Sequence, residues 1–144
     1  MPQNFHHIAI STPDLERALG FYRDVIGLEP ISDISWAAGH QQINQVMGLP
    51  ETAARTVMLQ GGNLCIELFQ FELPEQPAPD TELRPVHRYG ITHFCLDVKD
   101  IDRVHERLAA AGVRFHTPPQ DFGAVKATYA RDPDGNVFEI QEIL

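Results

Sequence analysis

Apolar and polar positions alternate from Phe5 to Ser11, a period of two that predicts a strand. The period then lengthens. Leu15, Ala18, Leu19, Tyr22, Val25 and Ile26 recur at helical spacing. Thr12 is the expected N-cap, Pro13 the first helical position and Gly27 the stop. Leu28 to Ile34 predicts a second strand. Ser35 to Glu51 is irregular, with a short helix around Gln41 to Met47. Thr56 to Gln60 and Leu64 to Phe71 predict two further strands about the Gly61-Gly62-Asn63 turn. Pro74, Pro77, Pro79 and Pro85 then interrupt residues 72–90, which excludes a helix or central strand there.

After that segment the pattern restarts. Ile91 to Val98 predicts a strand. Ile101, Val104 and Leu108 mark a helix ending near Gly112. Val113 to His116 and Ala124 to Arg131 predict strands. Asp132-Pro-Asp-Gly135-Asn predicts a turn before a last strand, Val137 to Ile143. Each half thus reads βαβββ. The expected fold class is α+β: one domain over residues 1–144, with a first module at 5–71, a Pro-rich linker at 72–90 and a second module at 91–144.

The repeat carries chemistry. His7 and His93 each precede an Asp by seven residues, Asp14 and Asp100, and each Asp precedes a helical pattern. Each half closes on a Glu in an apolar strand, Glu67 and Glu139. Strand parity places His7 opposite Ile8 and Ile10, and Glu67 opposite Ile66 and Leu68. It places His93 opposite Phe94 and Leu96, and Glu139 opposite Phe138 and Ile140. The four polar side chains are therefore expected on the concave faces of two curved sheets that enclose a metal-containing cavity. Buried carboxylates are costly unless paired or metal-bound. Two imidazoles and two carboxylates suit one divalent ion: Zn, Ni, Co, Mn or Fe(II). The interval from His7 to Glu67 exceeds that from His93 to Glu139 by 14 residues. That difference predicts an insertion after Ile34, where a substrate-shaping loop belongs. His6 is out of register and reads as a non-ligand. His40, His87, His105 and His116 have no repeat partner, and His105 is expected to be exposed on its helix.

Charge and composition narrow the partners. The formal charge of −9 argues against a nucleic-acid backbone binder. No apolar run approaches the roughly 20 residues that span a bilayer. No basic region precedes an apolar stretch at the N-terminus, so a cytoplasmic location without membrane attachment is the expectation. Cys65 and Cys95 form no C-x-x-C pair and read as reduced, buried small hydrophobes.

The chain resembles the vicinal oxygen chelate superfamily, also called the glyoxalase/bleomycin-resistance/dioxygenase superfamily. The resemblance rests on His7-Ile-Ala-Ile with Pro13-Asp-Leu-Glu-Arg-Ala, Phe21-Tyr-Arg-Asp-Val-Ile-Gly-Leu, Gly90-Ile-Thr-His-Phe, and Asp132-Pro-Asp-Gly-Asn-Val-Phe-Glu-Ile. It covers nearly the whole chain. It implies a cavity-forming fold, often dimeric, and a metal at the positions matched by His7, Glu67, His93 and Glu139. Glyoxalase I and methylmalonyl-CoA epimerase resemble the chain in having a ligand at the Glu67 position. The resemblance therefore implies an isomerase, lyase or epimerase that stabilises an enolate of a small oxygen-rich substrate. Glu139 or Glu67 would move the proton. Tyr129 pulls toward a second reading, since ring-cleaving dioxygenases and fosfomycin transferases resemble the chain there. Bleomycin-resistance proteins supply a third, a non-catalytic small-molecule binder.

Overall fold

The computed structural model describes residue 1, residues 4–78 and residues 80–144. Of the linker prolines, Pro79 lies outside the described residues. The chain divides into two units, Met1–Pro79 and Asp80–Leu144.

In the first unit, β1 (His7–Ser11) leads to α1 (Leu15–Leu19), which continues as a π-helical segment at Gly20–Ile26. Then follow β2 (Glu29–Trp36), α2 (Gln41–Met47), β3 (Ala53–Gly61) and β4 (Leu64–Leu73). The sheet order is β1-β4-β3-β2, with β1 and β4 parallel and the other pairs antiparallel. One sheet face carries Val57, Leu59, Ile66 and Leu68, all buried. The helical segment buries Leu15, Ala18, Leu19 and Tyr22, and α1 packs on β4. Truncating a fully buried member such as Leu59 would cost about 2–5 kcal/mol. The same parity leaves His7, Glu67, Phe69 and Phe71 on the other face.

In the second unit, β5 (Phe94–Asp97) leads to α3 (Ile101–Ala110). Four strands follow: β6 (Arg114–Phe115), β7 (Gln120–Asp121), β8 (Val125–Arg131) and β9 (Val137–Ile143). The sheet runs β5-β9-β8-β6, and β7 also pairs with β8. Phe138 and Ile140 are fully buried on the face that meets α3, where Ile101 and Leu108 are buried.

The class, α+β with a βαβββ core in each half, matches the periodic pattern. Several local features differ from expectation. The strand expected at Ile91–Val98 is shorter: β5 starts at Phe94, leaving His93 just before it. Thr12 is not the N-cap. Its backbone N–H still donates to Phe69 O at 2.8 Å, so the strand ladder holds it. Asp14 caps instead, its carboxylate accepting from Arg17 N at 3.0 Å. β7 was unforeseen because two residues carry no period. Cys95 is exposed rather than buried, since it lies on edge strand β5 and on the face away from α3. His105 is half-buried, with its ring 4.4 Å from that of Phe115.

Both helix starts are held by a residue three positions after a repeated Glu. Gln70 Oε1 accepts from Leu15 N at 2.8 Å. Glu142 accepts from Asp100 N at 2.9 Å and Ile101 N at 3.1 Å. These side chains satisfy amides that a helix N-terminus leaves unpaired. The two halves therefore repeat in the strand-to-helix clasp as well as in the His and Glu positions.

Candidate functional site

The site residues lie on or beside two parallel strand pairs: His7 opens β1, whereas His93 immediately precedes β5. In the first unit Ala9 faces Glu67 across β1 and β4. In the second, Cys95 faces Glu139 across β5 and β9. Each His lies two residues before the position that faces the Glu. A period of two returns its side chain to the same face, diagonal to the carboxylate.

The contacts follow that register. His7 Nε2 lies 3.4 Å from Glu67 Oε2, and His93 Nε2 lies 3.0 Å from Glu139 Oε2. The two carboxylates are only 16% and 17% exposed, so each needs a charged or donor partner. Glu67 Oε1 also accepts from Thr56 Oγ1 at 3.1 Å. Both imidazoles are engaged at the other nitrogen by the preceding side chain. His7 Nδ1 lies 2.9 Å from His6 Nδ1, and His93 Nδ1 lies 2.9 Å from Thr92 Oγ1. With the proton on Nδ1, each Nε2 presents a lone pair beside a carboxylate. A hydrogen-bonded second nitrogen is the usual support of a metal-bound imidazole.

The donor set fits a divalent ion. Two ligands bonded at ~2.1 Å to one ion, at angles of about 90–110°, stand roughly 3.0–3.4 Å apart. Both Nε2–Oε2 separations fall there, and 3.4 Å is long for a good hydrogen bond. Among the described residues, no three His, Cys, Asp or Glu side chains gather into a metal cage, and the ligand set is built here from the two His–Glu pairs.

The second unit surrounds its carboxylate with groups that sense it. Tyr129 faces Glu139 across β8 and β9, and its ring centroid lies 4.6 Å from that of His93. Burial, then the Glu139 charge and then Cys95 raise the Tyr129 phenol above its ordinary value. Although Cys95 retains exposed surface, its thiol is pushed up to about 12. Burial contributes most, followed by the charge of Glu139 and its hydrogen bond to the thiol. A cation beside Glu139 would offset that negative potential.

His116, which has no repeat partner, also joins this neighbourhood. Its ring centroid lies 6.2 Å from that of Tyr129, and its Nε2 accepts from Arg131 Nε at 3.2 Å. Burial and then Arg131 hold its pKa below the ordinary value. Arg131 is itself fixed by Nη1 bonds to Gly135 O and Arg84 O. No spacing signal marked His116. Thr56 was within reach of the sequence, since counting back from the Gly62-Asn63 turn sets Met58 opposite Glu67 and Thr56 diagonal to it on the same face.

The structure thus brings His7 to Glu67, and brings His93 to Glu139 and Tyr129. The insertion between Ile34 and Ala53 is ordered by a polar chain. Trp36 Nε1 donates to Thr52 Oγ1 at 3.0 Å, and that hydroxyl donates to Asn44 Oδ1 at 2.6 Å. Asn44 Nδ2 and Gly39 N both donate to Glu51 Oε1 at 2.8 Å.

The chain is similar to known proteins over most of its length. A 2-epi-5-epi-valiolone epimerase of an Actinomyces species is 32% identical over 118 residues, which cover 80% of this chain and 63% of that protein. The chain therefore spans less than two thirds of that relative. The mitochondrial methylmalonyl-CoA epimerase of Dictyostelium discoideum is 30% identical over 141 residues, 95% of this chain and 76% of that one. A manganese-dependent 2,3-dihydroxybiphenyl 1,2-dioxygenase of Geobacillus genomosp. 3 is 26% identical over 141 residues, 94% of this chain and 35% of the dioxygenase. Among solved structures, a glyoxalase family protein from Bacillus cereus superposes with a TM-score of 0.86 at 24% identity, covering 100% of this chain and 96% of that one, a likeness of fold. The family model described as Glyoxalase/Bleomycin resistance protein/Dioxygenase superfamily matches residues 4–140, and the chain belongs to that superfamily.

Proposed function

We propose that His7, Glu67, His93 and Glu139 are the protein ligands of one divalent metal. We propose further that the protein is an epimerase or isomerase, moving a proton at a carbon beside a carbonyl. The observation that carries this reading is that each half sets an imidazole beside a carboxylate, with the Glu facing the residue two positions after the His. The ligand set holds whether the two pairs come from one chain or from two copies of it. When bound, the metal would act as a Lewis acid on two adjacent substrate oxygens.

The chain's own residues account for the rest. His6 and Thr92 fix the ring orientation of the two imidazoles. Thr56 steadies Glu67 at one oxygen. Epimerisation removes a proton from one side of a carbon and returns it to the other, which requires two acid–base groups. Glu67 and Glu139 supply one in each repeat. The epimerase relatives, each at least 30% identical, support this choice. The isomerase reading also gives Glu67 a role beside Glu139.

One observation favours ring-cleaving oxygenation instead: the Tyr129 ring lies against His93 and opposite Glu139. The two readings separate in one experiment. Manganese-loaded protein is incubated in D2O, once with methylmalonyl-CoA and once with 2,3-dihydroxybiphenyl. Solvent deuterium at the carbon beside the carbonyl, without oxygen uptake, is the expected result. Oxygen uptake with ring cleavage, and no deuterium exchange, would overturn the epimerase reading.

A further inference from the structure

Glu67 begins a ladder of aromatic side chains. Glu67, Phe69 and Phe71 alternate with Leu68 and Gln70 along β4, so they share one face. The Phe69 and Phe71 rings stack, with centroids 5.7 Å apart and planes 11° apart. Trp36 meets Phe69 edge-on, at 6.3 Å and 78°. Ile34 and Met58 lie on this face by register, and Ile34 is 56% exposed. A stacked pair with an indole set across it is a corner that accepts a flat ring.

The internal repeat shows that the fold does not require this wall. The positions equivalent to Phe69 and Phe71, two and four residues after Glu139, are Gln141 and Ile143. Met58, opposite Glu67, is replaced by Tyr129, opposite Glu139. The aromatic ladder therefore belongs to one half alone, next to one of two equivalent carboxylates.

The insertion unique to that half anchors the ladder's outer ring. Thr52 is fully buried and Asn44 is nearly so, and both serve the chain of bonds that ends on the Trp36 indole N–H. A buried polar network specifies position more than it adds stability. Here the position specified is that of the Trp36 indole.

We propose that this face binds a planar apolar substituent of the substrate, so that the substrate carries an aryl group near its pair of adjacent oxygens. The inference rests on the metal reading above, because the oxygens are referred to the Glu67 end of the ladder. Residues of one strand face rise about 7 Å per pair, which places Phe69 roughly 7 Å from Glu67 along β4 and Phe71 twice as far. An aryl ring two or three bonds from the chelating oxygens therefore reaches Phe69.

Trp36 is the only tryptophan in the chain, so its emission reports on this wall directly. The full chain, loaded with Zn(II), is titrated with propanohydroxamate and with 3-phenylpropanohydroxamate. Both present adjacent oxygens, and one adds an aryl ring. The expected result is affinity greater by on the order of tenfold for the phenyl compound, with a change in Trp36 emission. In Phe69→Ala that ratio falls toward one, and Phe71→Ala, farther from Glu67, lowers it less. Equal affinity of the two hydroxamates for the unaltered chain would overturn the proposal while leaving the metal reading intact. A phenyl advantage that survives both substitutions, with Trp36 emission unchanged, would also overturn it. Failure of both compounds to bind would defeat the metal reading and this inference with it.

Discussion

Replacing Thr56 by Val tests the carboxylate on which the proposed chemistry depends, without touching a ligand. Thr56 is 7% exposed, and its hydroxyl donates to Glu67 Oε1 at 3.1 Å. Valine keeps the branched shape and the strand preference but removes the donor. Glu67 then keeps His7 as its remaining partner, at 3.4 Å, and is free to rotate about its terminal torsion. Outer partners that orient metal ligands are worth about 10- to 100-fold in metal affinity. That range is about 1.4–2.8 kcal/mol. Metal-free stability should change less, by about 1 kcal/mol, because Glu67 retains some contact with water. The assay is competition for Zn(II) against a chromophoric chelator, with denaturant unfolding in the presence of a chelator as the control. Thr56→Ser should retain most of the affinity. Unchanged Zn(II) affinity in Thr56→Val would show that Glu67 is not a ligand held by Thr56, and the four-ligand set would lose that member.

Further expectations concern the same elements. Glu67→Ala should lower metal affinity at least about 100-fold and abolish deuterium exchange; retained Fe(II) with ring cleavage would instead favour oxygenase chemistry on the other three ligands. Thr52→Val leaves the Trp36 N–H and the Asn44 carbonyl without their shared partner, so unfolding free energy should fall by about 1–3 kcal/mol, and an unchanged denaturation midpoint would contradict the account of the insertion. The amides of Ile101 and then Asp100 hold the Glu142 carboxyl below its ordinary 4.5. A lowered folded-state pKa stabilises fully above the ordinary value and is lost as pH falls through the folded one. Hydrogen exchange at those two amides should therefore lose protection only below about pH 4.5, and loss of protection at higher pH would refute the clasp.

Much of this was legible because it rides on periodicity. The strands carrying Glu67 and Glu139, the short helix at Gln41–Met47 and the repeated His positions all follow from parity, turn residues and spacing. Local competition hid the rest. Thr12 and Asp14 are both good caps, and only the strand bond from Thr12 N to Phe69 O decides between them. The π-helical stretch at Gly20–Ile26 shares its apolar stripe with an α-helix, so spacing could not reveal it. His116 and Arg131 are brought together by pairing of β6 with β8, a contact between segments that no local pattern records. The Gln70 and Glu142 clasps were present in the sequence as a second repeated offset. Their polar side chains on the helix-facing parity read as interruptions of an apolar face.

The proposed function requires that the two His–Glu pairs hold a metal. Its most direct test is elemental analysis of the full chain purified without a polyhistidine tag, before and after dialysis against a chelator and reconstitution. Close to one divalent ion per chain is expected, lost on chelation, restored on adding metal, and reduced by His7→Ala and His93→Ala alike. A chain that takes up no stoichiometric ion, or whose bound ion is indifferent to both substitutions, would contradict it.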